Sequence, residues 1–160
     1  MPIKEHLDIV LGNSVYLDDI KLENMVHLYV IRSPYARARI LRIEEPGNKA
    51  LLFLTAKSIG NLLMPAVATP NARIVRMPVL PSNTVNFVGQ PVAAVVTESR
   101  YSLEDISDEV SIEYEPLRPV ITIDDALKNE EVIHPEIGTN ISLDVTLEGG
   151  DTSVFRDAHS

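Results

Sequence analysis

Apolar positions in this chain alternate, cluster or recur helically, and each pattern predicts an element. Residues 25–31, Met-Val-His-Leu-Tyr-Val-Ile, form the first long apolar stretch. Apolar side chains fall on both parities there, which predicts a strand covered on two faces. Ser33-Pro34 ends it, because proline has no ladder donor. Residues 37–43 predict a second strand, with Ala36, Ala38 and Ile40 on one face and Arg37 and Arg39 on the other. The alternation slips by one between Ile40 and Leu41, the signature of a bulge. Glu45-Pro46-Gly47-Asn48 reads as a turn, residues 50–55 as a third strand, and residues 56–63 as containing a helical turn. Upstream, Gly12-Asn13-Ser14 signals a turn and Val15-Tyr16-Leu17 a short strand.

Between Leu62 and Ser82 lie four of the chain's 11 prolines, so this stretch reads as a long loop with one short strand at 73–77. Gly89-Gln90-Pro91 leads into Val92-Ala93-Ala94-Val95-Val96. That unbroken run of small apolar residues predicts a buried central strand, and Gly89 suits a positive φ at its entry. Ser99 is placed to cap a helix over 100–109, with Leu103, Ile106 and Val110 at helical spacing. Residues 110–115 then switch to period two, with Ile112 and Tyr114 inward and Glu113 and Glu115 outward. Strand, helix and strand together suggest a compact βαβ-like unit, closed by Pro116 and Pro119. Residues 123–128 predict a short helix and residues 140–147 a further strand. Gly149-Gly150 turns the chain, and Asp151 would cap a last helix with Val154, Phe155 and Ala158 on one face. The expected fold is α+β: a mixed, bent sheet with two or three helices.

Composition narrows the chemistry. At 160 residues, 45% hydrophobic and 23% charged, the chain has ordinary globular values that exclude wholesale disorder. It has no cysteine, which removes disulfides, thiolate metal sites and a cysteine nucleophile. A net charge of −9 and 5% aromatics argue against a nucleic-acid binder, which needs a basic footprint and stacking surfaces. The charge is uneven: residues 1–97 hold 10 basic and 7 acidic side chains, residues 98–160 hold 4 and 16. No apolar run nears the roughly 20 residues of a membrane span, and the N-terminus lacks a secretory pattern. The expectation is a cytoplasmic protein with no membrane span.

Candidate reactive groups are few. His6, His27, His134 and His159 show no ligand spacing, and His27 fits a core or interface position. Asp18-Asp19 could meet a hard cation, but neighbouring strand residues point apart, and a turn-forming role is simpler. Glu113 and Glu115 share a face, as an acid–base pair would, with no aromatic cleft in view. Arg32, Arg37, Arg39 and Arg42 are the one basic cluster. Without a glycine-rich phosphate loop, docking against carboxylates, in the chain or across an interface, suits it better than a nucleotide. No Gly-x-Ser-x-Gly elbow marks a hydrolase.

Several segments together resemble one family. These are Tyr16-Leu17-Asp18-Asp19-Ile20, residues 32–40 (Arg-Ser-Pro-Tyr-Ala-Arg-Ala-Arg-Ile), residues 88–96 (Val-Gly-Gln-Pro-Val-Ala-Ala-Val-Val) and residues 110–117 (Val-Ser-Ile-Glu-Tyr-Glu-Pro-Leu), followed by Asp125-Ala126-Leu127. In order and spacing they resemble the N-terminal α/β-hammerhead domain of the molybdenum hydroxylase large subunit, the xanthine dehydrogenase, aldehyde oxidase and carbon monoxide dehydrogenase family. The family usually has a histidine where Arg37 stands. The resemblance implies a hammerhead over residues 1–135, with 136–160 beginning the next segment of a longer chain.

By the same resemblance, the full enzyme would carry molybdopterin or molybdopterin cytosine dinucleotide, held by later domains, and no catalytic, cofactor or metal residue transfers to this chain. Its expected partners are the remaining large-subunit domains or a separate molybdenum-binding chain, together with iron–sulfur and flavin subunits. The expected role is structural, in a molybdopterin-dependent oxidoreductase. The alternative is a stand-alone interaction module that keeps the fold without the enzyme. A small enzyme built on the carboxylates would need a pocket with two converging acids. The expected docking residues are Leu62, Leu63, Met64 and Val67 in the proline-rich loop, because exposed apolar patches mark contacts, with Arg37 and Arg39 as charged partners.

Overall fold

The computed structural model describes residues 4–47, 50–66, 69–147 and 149–150. Six strands and four α-helices follow in the order α1 (Lys4–Val10), β1 (His27–Arg32), β2 (Ala38–Ile43), β3 (Leu52–Leu54), α2 (Ala56–Ile59), β4 (Thr84–Val85), β5 (Pro91–Thr97), α3 (Ser102–Glu109), β6 (Ile112–Pro116) and α4 (Ile123–Lys128). The strands form two antiparallel three-stranded sheets, ordered β1-β5-β3 and β4-β2-β6. The α+β class holds, but the expected single mixed sheet is two separate ones.

Strand β5 is the centre. Val92, Ala93, Ala94 and Val95 are all buried. Val92 joins Ala38 of β2 and Val85 of β4 in one cluster, with Ile40, Ile43, Ile112 and Tyr114 packed around it, so β5 is where the two sheets meet. Alternation sends Ala93 and Val95 the other way. Helix α3 packs across β5 and β1 and inserts Ile106, which is 1% exposed. Alanines in the strand let these layers approach closely. At its entry Gly89 has φ +85°, a conformation that side chains with a Cβ resist. Gln90, also buried, accepts the Asn86 amide at 2.6 Å through Oε1 and braces the turn.

The β2 bulge lies where alternation slips: Ile40 pairs with Tyr114 and Arg42 with Glu113, leaving Leu41 as the extra residue. Helix α4 spans the expected residues. Thr122 accepts the Asp125 amide at its start, and Asn129 leaves it in the left-handed conformation.

Other expectations fail for identifiable reasons. Residues 15–17 are not a strand, because Asp19 Oδ2 accepts the Tyr16 amide at 2.9 Å and closes a 3-10 turn over Leu17–Asp19. Helix α1 had no strong periodic signal. Strand β1 is an edge strand with Leu28 and Tyr29 exposed, not one covered on both faces. Strands β5 and β6 lie in different sheets, so β5-α3-β6 is not a βαβ unit. Residues 73–77 form no strand; the loop is pinned by one bridge, Leu63 to Pro78. Helix α3 starts at Ser102, after a turn in which the Ser99 carbonyl accepts the Ser102 amide.

Residues 140–147 are irregular, because Asn140 is used as a clip. Its Nδ2 donates to the Glu131 carbonyl at 2.7 Å and its Oδ1 accepts the Ile133 amide at 2.9 Å. Asn48, Val67 and the expected last helix lie outside the described residues.

Replacing Ile106 with Ala should destabilise the fold by about 2–5 kcal/mol, the usual cost of emptying a closed apolar site. Urea unfolding of the two proteins checks this.

Candidate functional site: the arginine cleft and the apolar loop

Two adjoining surfaces carry five of the six docking residues expected from the sequence; the sixth, Val67, lies outside the described residues. Arg37, just before β2, has a side chain 12% exposed. Its Nη1 donates to Glu131 Oε2 at 2.8 Å and to the Arg118 carbonyl at 2.9 Å, and its Nη2 reaches the Val132 carbonyl at 3.5 Å. One guanidinium therefore fastens both ends of the α4 segment to β2. Arg39 meets Glu115 directly across the ladder, with both side chains about half exposed. Arg42 pairs with Glu44 at 3.1 Å and Arg118 with Glu130 at 3.2 Å, both at the surface. Three of the four arginines of the basic cluster thus face carboxylates of this chain, and Arg32 donates to the Gly89 carbonyl at 2.8 Å.

Arg37, Arg39, Arg76, His134 and Glu136 line an open cleft of about 440 Å³, floored by Asn86 and Gln90. His134 Nδ1 lies 3.3 Å from Glu136 Oε1. The sequence points to the two early arginines; His134 shows no ligand spacing there, Gln90 reads as a turn residue, and Arg76 carries no signal.

The second surface is the proline-rich loop. Leu62, Leu63 and Met64 are exposed. The loop has a fixed shape, because the Met64 amide donates to the Met77 carbonyl at 2.8 Å and the Val79 amide to the Leu62 carbonyl at 2.9 Å. Met64, Pro65, Ile74, Met77 and Leu143 line an apolar hollow of about 440 Å³. Met77 also lines the arginine cleft, so the two surfaces meet there.

Three further candidates have structural roles or places, while the His6 side chain and His159 lie outside what the structure describes. Asp19 caps its turn, Glu115 is engaged by Arg39, and His27 is half-buried in β1. Among the described residues, no three His, Asp or Glu side chains come together to hold a metal ion. Nor is any helix there long and apolar enough to cross a membrane.

Residues 11–118 match the family described as aldehyde oxidase and xanthine dehydrogenase, a/b hammerhead domain. The chain belongs to that family. The hammerhead is 35% identical over 134 residues to the carbon monoxide dehydrogenase large chain of Hydrogenophaga pseudoflava, covering 78% of this chain and 16% of that one. Among solved structures, quinoline 2-oxidoreductase from Pseudomonas putida 86 superposes with a TM-score of 0.77 at 29% identity, over 87% of this chain and 19% of that one. The Cu,Mo-CO dehydrogenase gives a TM-score of 0.66 at 30% identity, over 77% and 16%. The hammerhead thus spans less than a fifth of the length of these relatives.

One titratable group in the hammerhead core stands out. Burial pushes the Tyr114 phenol above its usual value of 10, and the nearby Tyr35 phenol adds to the rise. The Ser33 hydroxyl opposes this only in part, being committed to the Tyr35 backbone. The Tyr114 ring leans on Tyr35 with centroids 5.2 Å apart.

A raised phenol pKa favours the neutral form in the fold. Its contribution is complete below about pH 10, the unfolded value, and is lost as pH rises through the folded value. Ultraviolet titration should show one tyrosine ionising after the others, a step absent in Tyr114→Phe. Arg37→Ala should cost about 2–3 kcal/mol by stranding Glu131 and two carbonyls, while Arg39→Ala should cost under about 1 kcal/mol at its exposed site. Denaturant unfolding separates the two.

Proposed function

We propose that this hammerhead domain is an architectural part of a molybdopterin-dependent oxidoreductase, with the chemistry carried by the rest of the large subunit. The observation that carries this reading is the proportion of the match. The family match covers most of this chain, yet the chain covers only 9–19% of the relatives it matches. Its own groups support the same reading. Two of the three cleft arginines are neutralised by Glu131 and Glu115, and Glu136 adds a further carboxylate. A phosphate-bearing group such as molybdopterin is a poor fit for that balance, so no chemical step is assigned here.

The domain's task in this reading is to dock. The fixed apolar loop at Leu62, Leu63 and Met64 presents one contact; at Met77 it meets the cleft of Arg37, which holds the α4 segment, and Arg39, which pairs with Glu115 of β6. The partner is the remaining large-subunit polypeptide, either continuous with this chain or as a separate molybdenum-binding chain.

Affinity isolation of the tagged chain from its native cells, with metal analysis and intact masses, tests this. Molybdenum co-eluting with a large partner chain is the expected result; the chain alone and metal-free would overturn it. Leu63→Asp should weaken that co-elution at least tenfold, about 1.4 kcal/mol. It should leave the circular dichroism spectrum unchanged, because Leu63 is 40% exposed.

A further inference from the structure

Residues 118–141 give no apolar side chain to the core. None of their aliphatic groups is buried, and Ile121 and Ile123 are 78% and 80% exposed. Thr139 is their one buried residue, and its hydroxyl donates to Asn129 Oδ1 within the same segment. Apolar burial, the main force that fastens one part of a fold to another, is therefore slight here. The segment is nevertheless bound within itself. Thr122 caps α4, Arg118 pairs with Glu130 at 3.2 Å, and Asn140 bonds to both Glu131 and Ile133. These are the ties of one cooperative unit, not of a chain that frays residue by residue.

Its attachment to the body is narrower. Among the described residues, every hydrogen bond and ion pair that joins 118–141 to the rest of the fold is made by Arg37. The next ties fall just outside each end: the Leu117 amide donates to the Arg37 carbonyl at 3.0 Å, and the Arg73 amide to the Ser142 carbonyl at 2.7 Å. The Arg37 side chain is itself not fully satisfied. Its Nε is buried with no acceptor, a bond that water supplies once the site opens.

We infer that residues 118–141 are a strap that opens from the body as one unit, latched by the Arg37 guanidinium and hinged at Leu117 and Ser142. The strap carries five acidic and two basic side chains. Closed, it sets Glu131 on Arg37 and Glu136 in the arginine cleft. Open, it takes both carboxylates and the wall of Ile133 and His134 with it, while Arg37, Arg39 and Arg76 stay on the body. A cleft balanced in charge then becomes a basic one. The strap is thus an autoinhibitory contact, with the chain's own acidic segment occupying its arginines.

Native-state hydrogen exchange of the chain in rising, sub-denaturing urea tests this. Amides bonded inside the strap, such as Ala126, Asn129, Ile133 and Asn140, should merge on one shared opening. They should exchange about a hundredfold faster than Val92–Thr97, which open only with the whole fold. Arg37→Lys keeps the charge but loses the planar fork, and should speed the shared opening about tenfold. Glu131→Gln, at a side chain 40% exposed, leaves the buried guanidinium in place and should speed it in the same direction. Strap amides that exchange only together with those of β5 would overturn the strap. So would strap amides that exchange one by one with no shared opening, or that respond to neither substitution.

Discussion

Two sheets and a helix converge on one strand. Strand β5 is filled with valine and alanine because it has no free face. Val92 meets the β2–β4–β6 sheet, and α3 packs across β5 beside β1. A larger side chain at Ala93 or Ala94 would have to push one of these layers away, because close-packed interiors resist even one extra methylene. Much else in the fold serves this strand. Gly89 and Gln90 turn the chain into it, and β1 and β3 pair along its two edges.

A second constraint acts at longer range. The bonds of Arg37 to Glu131 and to the Arg118 and Val132 carbonyls span some 81 to 95 residues of sequence. They close the acidic second half of the chain onto the more basic first half. Asn140 and Asn129 extend the closure, since Asn129 Oδ1 accepts both the Thr139 hydroxyl and the Asn140 amide. Two ion pairs, Arg37 with Glu131 and Arg39 with Glu115, thus join the more basic first half to the acidic second half. Exposed apolar side chains gather in the loop at Leu62–Met64 and in a groove lined by Leu17, Leu22 and Leu28.

The parts legible in the sequence were those set by local rules. The apolar run of β5, the slip at Leu41, the period-two face of β6 and the capped α4 each carry their signal within a few residues. What could not be read was decided by side-chain hydrogen bonds and by pairing at a distance. Asp19 bends residues that alternate like a strand, and Asn140 draws residues 140–147 out of any ladder. Nothing in the alternation of β6 says that it pairs with β2 rather than with β5, which is why one sheet was expected and two are found. The exposed apolar loop was partly visible because Leu62, Leu63 and Met64 are apolar within a proline-rich stretch. The groove at 17–28 was hidden by taking Val15-Tyr16-Leu17 for a strand.

The chain is expected to fold around β5 before anything docks on it. Native-state hydrogen exchange of the isolated chain tests that most directly, since the slowest amides open only with the whole fold. The amides of Val92 to Thr97 should exchange only through global unfolding, far more slowly than those of the 62–66 loop. Exchange of the β5 amides at loop rates would contradict the account, because the surfaces assigned to docking would then have no preformed shape.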